Sequence, residues 1–195
     1  MKSFSIIISG IILFTLNDAK CQDVDYYWRD YNGVVPFDAF PGGTDINGND
    51  TYIGQVYVHG HGLFIGQIIP GTTQVDVACY GVKKRDYIVK ILCTQHKDNF
   101  SWLSTTWTSF HVDTINKHAV VGGYDHVGNK GALNIGRVMH QGILKIGQVA
   151  SFRVEQVYFY FAHKNRMEKA KAFEVLIYDK NEGSLINPRT FIVTE

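Results

Sequence analysis

The 195-residue chain is poor in cysteine (three) and proline (four), and its formal net charge is only +1. Each shortage excludes something. Three thiols cannot build the multi-bridge framework of a small disulfide scaffold. A near-neutral chain lacks the basic field that sequence-independent nucleic-acid binding needs, so nucleic acid is not an expected partner. No apolar run reaches the about 20 residues needed for a membrane span. The longest, Phe4 to Leu16, is shorter and is broken by serine and glycine. Amphipathic helical patterning is missing too. Its best stretch, His163 to Phe173, offers only Met167, Ala170 and Ala172 as inner apolar positions, too few for a helical face, and reads as a long hairpin loop or one irregular turn.

The same apolar run follows Lys2 and precedes Ala19 and Cys21, the pattern of a secretory signal ending at residue 21. The expected product is a secreted, extracellular protein covering 22–195. Removal of 1–21 takes away Lys2, Lys20 and Asp18 and leaves equal numbers of basic and acidic residues. The clusters Lys83, Lys84, Arg85 and Lys164, Arg166, Lys169, Lys171 read as solvated turn residues. Cys79 and Cys93 remain, and an oxidising compartment allows them to pair if the fold brings their Cα atoms within about 7 Å. They flank the turn VKKRD unequally, which leaves the pairing open. Asn49 and Asn99 each open an Asn-x-Ser/Thr glycosylation triplet.

Glycine, by contrast, is plentiful at 19 residues, and much of it recurs in register. From Asp38 the chain reads DAFPGGTDINGNDTYIGQVYVHGHGLFIGQI, and from His118 it reads HAVVGGYDHVGNKGALNIGRVMHQGILKIGQV. Ala39, Gly42, Gly43, Asp45 and Gly48 match Ala119, Gly122, Gly123, Asp125 and Gly128. Ile65-Gly66-Gln67 matches Ile146-Gly147-Gln148, with the offset drifting by no more than two residues. Such a period is too long for a solenoid unit and implies a duplicated β module. Short β-branched and aromatic runs, such as Val157–Phe161 and Tyr87–Leu92, read as strands. GGTDINGN and GGYDHVGN read as loops that use positive φ. The segment 94–117 contains Phe100, Trp102, Leu103, Trp107 and Phe110, too aromatic for a free linker, so the two copies are expected to share one domain.

Asp45 and Asp125 each sit at the rim of such a glycine-rich loop, and Gln67 and Gln148 each close an Ile-Gly step. A carboxylate and a carboxamide together accept from and donate to neighbouring sugar hydroxyls, which is binding chemistry without proton transfer. The same aspartates could equally cap their own loops through Asx-turns. His59-Gly60-His61 places two imidazoles on one side of an extended segment, but no Cys, Asp or Glu joins them at ligand spacing, so no metal or other cofactor is expected. No G-x-S-x-G elbow or phosphate loop is present, and the chain is not expected to be an enzyme.

Trp28, then Gly33-x-x-Pro36, Ala39, GGxD, a Tyr-Ile or Leu-x-Ile strand, Ile-Gly-Gln and a final aromatic-x-Val strand form an order that resembles the DM9 repeat, twice over. The resemblance implies an all-β fold of two repeats, about 26–93 and 105–179, packed with pseudo-two-fold symmetry into one domain, with a packed aromatic connection and a C-terminal strand. Some members are lectins that recognise mannose, and others are infection-responsive proteins of insect gut and salivary tissue. In the sugar-binding members the Asp of GGxD and a Lys of Pro-Gly-Lys are implicated. Asp45 and Asp125 match the first, whereas Gln67 and Gln148 stand where the Lys would be. Restoring Lys there is expected to strengthen mannose binding. The resemblance implies a secreted, lectin-like protein of innate immunity or gut and salivary secretion, with glycans on microbial or host surfaces as partners. Self-association into a homo-oligomer would add valency. The alternative is a non-catalytic interaction or structural module that has kept the fold and lost the sugar site.

Overall fold

The computed structural model describes residues 24–180 except 129 and 155. The signal segment and the C-terminal strand expected beyond the second repeat lie outside these residues. The first copy supplies β1 (Tyr26–Asp30), β2 (Pro41–Thr44), β3 (Asp50–Val58), β4 (Gly62–Ile68), β5 (Val75–Ala78), β6 (Val82–Arg85) and β7 (Val89–Thr94). The second supplies β8 (Phe100–Thr106), β9 (His118–Ala119), β10 (Val121–Asp125), β11 (Gly131–His140), β12 (Ile143–Val149), β13 (Phe159–His163), β14 (Arg166–Ala170) and β15 (Ala172–Tyr178). All pairings are antiparallel. Inside the first copy β3 pairs with β4 and β7, β7 with β1, β4 with β5, and β5 with β6. The second copy repeats each pairing: β11 with β12 and β15, β15 with β8, β12 with β13, and β13 with β14.

What joins the copies is an exchange. Strand β2 lies between its own β3 and the other copy's β12, and β10 lies between its own β11 and β4. The pairing β3–β4–β10–β11–β12–β2 therefore closes on itself as a six-stranded barrel, which removes sheet edges at the centre. The two seams have matching register, Thr44 opposite Leu144 and Tyr124 opposite Leu63. Ile53 and Ile146 pack beside Gly42, and Ile135 and Ile65 pack beside Gly122, giving the same pair of contacts on each side of the pseudo-two-fold axis.

The double glycines are thus strand residues, not the loop residues expected. A Cβ on Gly43 would stand 2.3 Å from the Leu144 carbonyl oxygen, and one on Gly123 would stand 2.4 Å from that of Leu63. Close backbone approach, rather than positive φ, requires glycine at these positions. The loops start one or two residues later, where Gly48 and Gly128 do hold positive φ, +82° and +67°.

The stretch His163 to Phe173 also differs from expectation. Lys164 and Asn165 form a two-residue turn with φ of 46° and 59°, and the chain returns as β14. Because β14 pairs only with β13, it is an edge strand with one face to solvent, so its few apolar residues suit a strand better than the loop read from them. Likewise VKKR is edge strand β6 rather than a turn. The aromatic connection is packed: Phe100 contacts Tyr26, Phe40 and Tyr178, and Phe110 is buried against Phe173.

Cys79 and Cys93 are both buried and both free, which corrects the disulfide considered from sequence. Cys93 lies on β7 and Cys79 just beyond β5, with β3 and β4 paired in between. Three interstrand steps of about 4.8 Å exceed the reach of a bridge. Burial pushes both thiols up to about 11, with Asp125 adding to the effect at Cys79 and Asp38 at Cys93. Neither thiol is expected to react with iodoacetamide at neutral pH in the folded protein, and both should react in denaturant. Peptide mapping that finds rapid labelling of Cys79 or Cys93 in the native protein would contradict this burial.

Candidate functional site

The two repeated aspartates do different things. Asp45 is half-exposed, and its carboxylate is occupied by its own loop. Oδ1 accepts from the backbone N–H groups of Asn47 and Asn49, both at 2.8 Å, and Oδ2 accepts from the Asn49 side-chain amide at 2.9 Å. That amide, followed by the Asn49 backbone N–H, holds the Asp45 carboxyl below the usual carboxylate range. Asn49, the first glycosylation candidate, is therefore exposed but engaged, and Asn99, the second, is half-buried and donates to Asp25 at 3.4 Å.

Asp125 is buried, at 5% exposure. Its Oδ1 accepts from the Val127 N–H at 3.1 Å, the same loop bond seen at Asp45. Its Oδ2 accepts instead from the Tyr80 hydroxyl of the other copy, at 2.7 Å, and lies 3.7 Å from the Lys130 ammonium. Lys130 also donates to the Tyr80 oxygen and stands 4.3 Å above the Tyr80 ring. Burial pushes the Tyr80 phenol up, and the Tyr80 contact pushes Lys130 up, so both keep their protons at neutral pH.

This cluster opens on a cleft of about 190 Å³ between the copies. Phe64, Phe152 and Tyr160 provide aromatic wall, while Asp125, Lys130 and Arg153 provide charge. The symmetry-related position by Asp45 has no such character. There Lys145 stands where Phe64 does and Asp76 where Tyr160 does, as the strand registers require. Burial pushes the Lys145 ammonium down, and Asp76 opposes that shift. Duplication has thus produced one aromatic cleft and one charged seam.

The glutamines are fold residues in large part. Gln148 is 4% exposed; its Oε1 accepts from the Ile65 N–H at 3.2 Å and its Nε2 donates to the Ala78 carbonyl, both in the other copy. Gln67 donates to Thr51 Oγ1 at 2.7 Å and to the Leu144 carbonyl at 3.2 Å. Each welds the seam between copies, although Gln148 also edges the cleft. His61 turns back on the His59 carbonyl at 3.0 Å, and no group of three metal-ligating side chains converges among the described residues.

Sequence reading found Asp125 and Gln148 but missed Lys130, Tyr80, Phe64, Arg153 and Tyr160. For Lys130 a signal existed: the repeat offset grows from 80 at Gly128 to 82 at Ile135, and Lys130 lies in that two-residue insertion. Tyr80 and Phe64 come from the other copy, and nothing local marks them.

Fold and site together define a duplicated, strand-exchanged β protein with an aromatic cleft between its copies. A family model described as the DM9 repeat matches residues 57–166, and the chain belongs to the DM9 repeat family. No curated protein matches it. Among solved structures, that of the nematode sperm cell motility protein MFP2B is similar, with a TM-score of 0.56 and 14% identity over 91% of this chain and 51% of that one. The chain therefore spans about half the length of that protein, and at this identity the likeness concerns the fold.

Proposed function

We propose that this is a secreted, non-catalytic carbohydrate-binding protein whose working site is the cleft at Asp125. The observation that carries the reading is a hydroxyl-binding set, Asp125, Lys130 and Tyr80, beside aromatic walls in one small cleft. Carboxylate, ammonium and phenol pair with sugar hydroxyls, and aromatic faces pack on the apolar faces of a pyranose. An ammonium at the aspartate, which Gln148 cannot provide, comes instead from Lys130. Single shallow sites of this kind are weak, and display on a homo-oligomer would raise apparent affinity.

Asp125→Ala is expected to weaken glycan binding by at least about tenfold, since it removes charge-assisted hydrogen bonds, while Asp45→Ala leaves binding unchanged. Calorimetry on glycans selected from an array would check both. Equal losses from the two variants would refute the assignment of a single working site. The reading as an interaction module draws support from the engagement of Asp45, Gln67 and Gln148 within the fold. Silence of the folded protein on a dense glycan array would favour it.

A further inference from the structure

Tyr160, which lines the cleft, is the first of a row of aromatic rings that leads out of it. Along the segment that enters and forms β13, Phe159 and Phe161 point into the second copy's core, so Tyr158 and Tyr160 share the opposite face, where Tyr160 packs at the edge of the central core, their ring centres 6.2 Å apart. Trp107 continues the row 5.4 Å from Tyr158. It is held there by two backbone bonds, Val157 N–H to the Trp107 carbonyl at 2.9 Å and Trp107 N–H to the Lys171 carbonyl at 2.7 Å. All three rings are half-buried, so each keeps an accessible part.

Cations follow the same line. Lys169, opposite Tyr160 in the β13–β14 register, stands 4.5 Å over the Tyr158 ring, and Lys171 stands 4.4 Å over Trp107. At the cleft end are Lys130 and Arg153, close enough for Arg153 to oppose the protonated form of Lys130. Among the described residues, Lys169, Lys171 and Arg153 form no ion pair, and Asp125, the carboxylate lining the cleft, is already engaged by Tyr80 and Lys130. Glu168, the acid of β14, alternates away from Lys169 to the other face of the strand. A row of rings with an excess of unpaired ammonium and guanidinium groups calls for a ligand that is ring-shaped and negative. Exposed lysine–ring contacts are weak, so a carboxylate or sulfate can draw each ammonium off its ring and leave the face free.

We propose that the cleft is one end of a track for an acidic polysaccharide, running over Tyr160, Tyr158 and Trp107, with its carboxylates or sulfates held by Arg153, Lys169 and Lys171. The proposal rests on the glycan-binding reading of the cleft and names its ligand class. Neutral mannose-type sugars would use the hydroxyl-binding end alone. A nucleic-acid strand also pairs stacking with charge. The hydroxyl-binding set of Asp125, Lys130 and Tyr80 at the cleft end favours a sugar over it.

Calorimetry with three tetrasaccharides tests this: a uronate oligomer, a sulfated oligomer and neutral mannotetraose. At least one acidic tetramer is expected to bind about tenfold tighter than mannotetraose, with affinity falling as salt is raised. Which of the two wins identifies the carboxylate or the sulfate as the anion. Lys169→Gln with Lys171→Gln, both exposed positions, should abolish that preference and leave mannotetraose binding unchanged, with circular dichroism verifying the fold. Equal affinity for acidic and neutral tetramers, or an acidic preference untouched by the double variant, would overturn the track while leaving the glycan reading of the cleft intact. Tighter binding of oligodeoxythymidylate than of any sugar would overturn it in favour of nucleic acid. Absence of binding to all three sugars would overturn the track and the glycan reading together.

Discussion

Gly43→Ala is expected to lower the thermal midpoint by roughly 6–12 °C, and Gly123→Ala by a similar amount. At each seam the strand of one copy passes over a backbone carbonyl of the other, and the missing Cβ is what allows the approach. At 2.3 Å from the Leu144 oxygen, an added methyl cannot be accommodated by rotating a side chain; the seam strands must move apart. Overpacking against rigid neighbours costs about 3 kcal/mol. For a domain of this size each kcal/mol shifts the midpoint by roughly 2–4 °C. Gly48→Ala provides the contrast, because nothing lies within 4 Å of its added Cβ and only its φ of +82° objects. That change should cost about 1 kcal/mol. If scanning calorimetry found Gly43→Ala no worse than Gly48→Ala, close approach at the seam would not be what holds the copies together.

The second large effect is at Gln148. Comparison with sugar-binding DM9 members makes Lys the natural substitution there, and the expectation from sequence is stronger mannose binding. The fold leads to a different result. Gln148→Lys should destabilise the protein by about 3–5 kcal/mol, because it buries an ammonium and removes the acceptor for the Ile65 N–H. Lys has three donors and no acceptor, so it cannot replace the two-way contact of the carboxamide. Gln67→Lys should be milder. Gln67 is half-buried and its amide only donates, to Thr51 and Leu144, a task an ammonium can take over. Urea unfolding of the two variants would separate the cases. A Gln148→Lys midpoint equal to that of the parent protein would remove the seam role assigned to this residue.

The sequence by itself determined the parts that local chemistry specifies. Duplication and the apolar strands were legible because turn glycines and β-branched runs recur in order, and each acts over a few residues, whereas β6, β14 and the double-glycine strands read as loops because they are edge or glycine-rich segments without an apolar run. The Asx-turns of Asp45 and Asp125 were legible for the same reason: a short carboxylate reaches N–H groups two and four residues on. Only the tertiary structure decided which copy each β2-type strand serves. Strand exchange leaves no mark on a repeat, since both partners carry the same pattern. That exchange put the double glycines under carbonyls and turned Gln67 and Gln148 into seam bonds, while the pairing of β3 with β4 inside the first copy kept Cys79 and Cys93 apart. It also separated the fates of two aspartates that look alike in sequence. Asp125 meets Tyr80 and Phe64 from the other copy, and Lys130 from its own insertion, whereas the position beside Asp45 meets Lys145 and Asp76. The site is a product of residues far apart in the chain, and their convergence follows from the closure of the barrel rather than from any short motif.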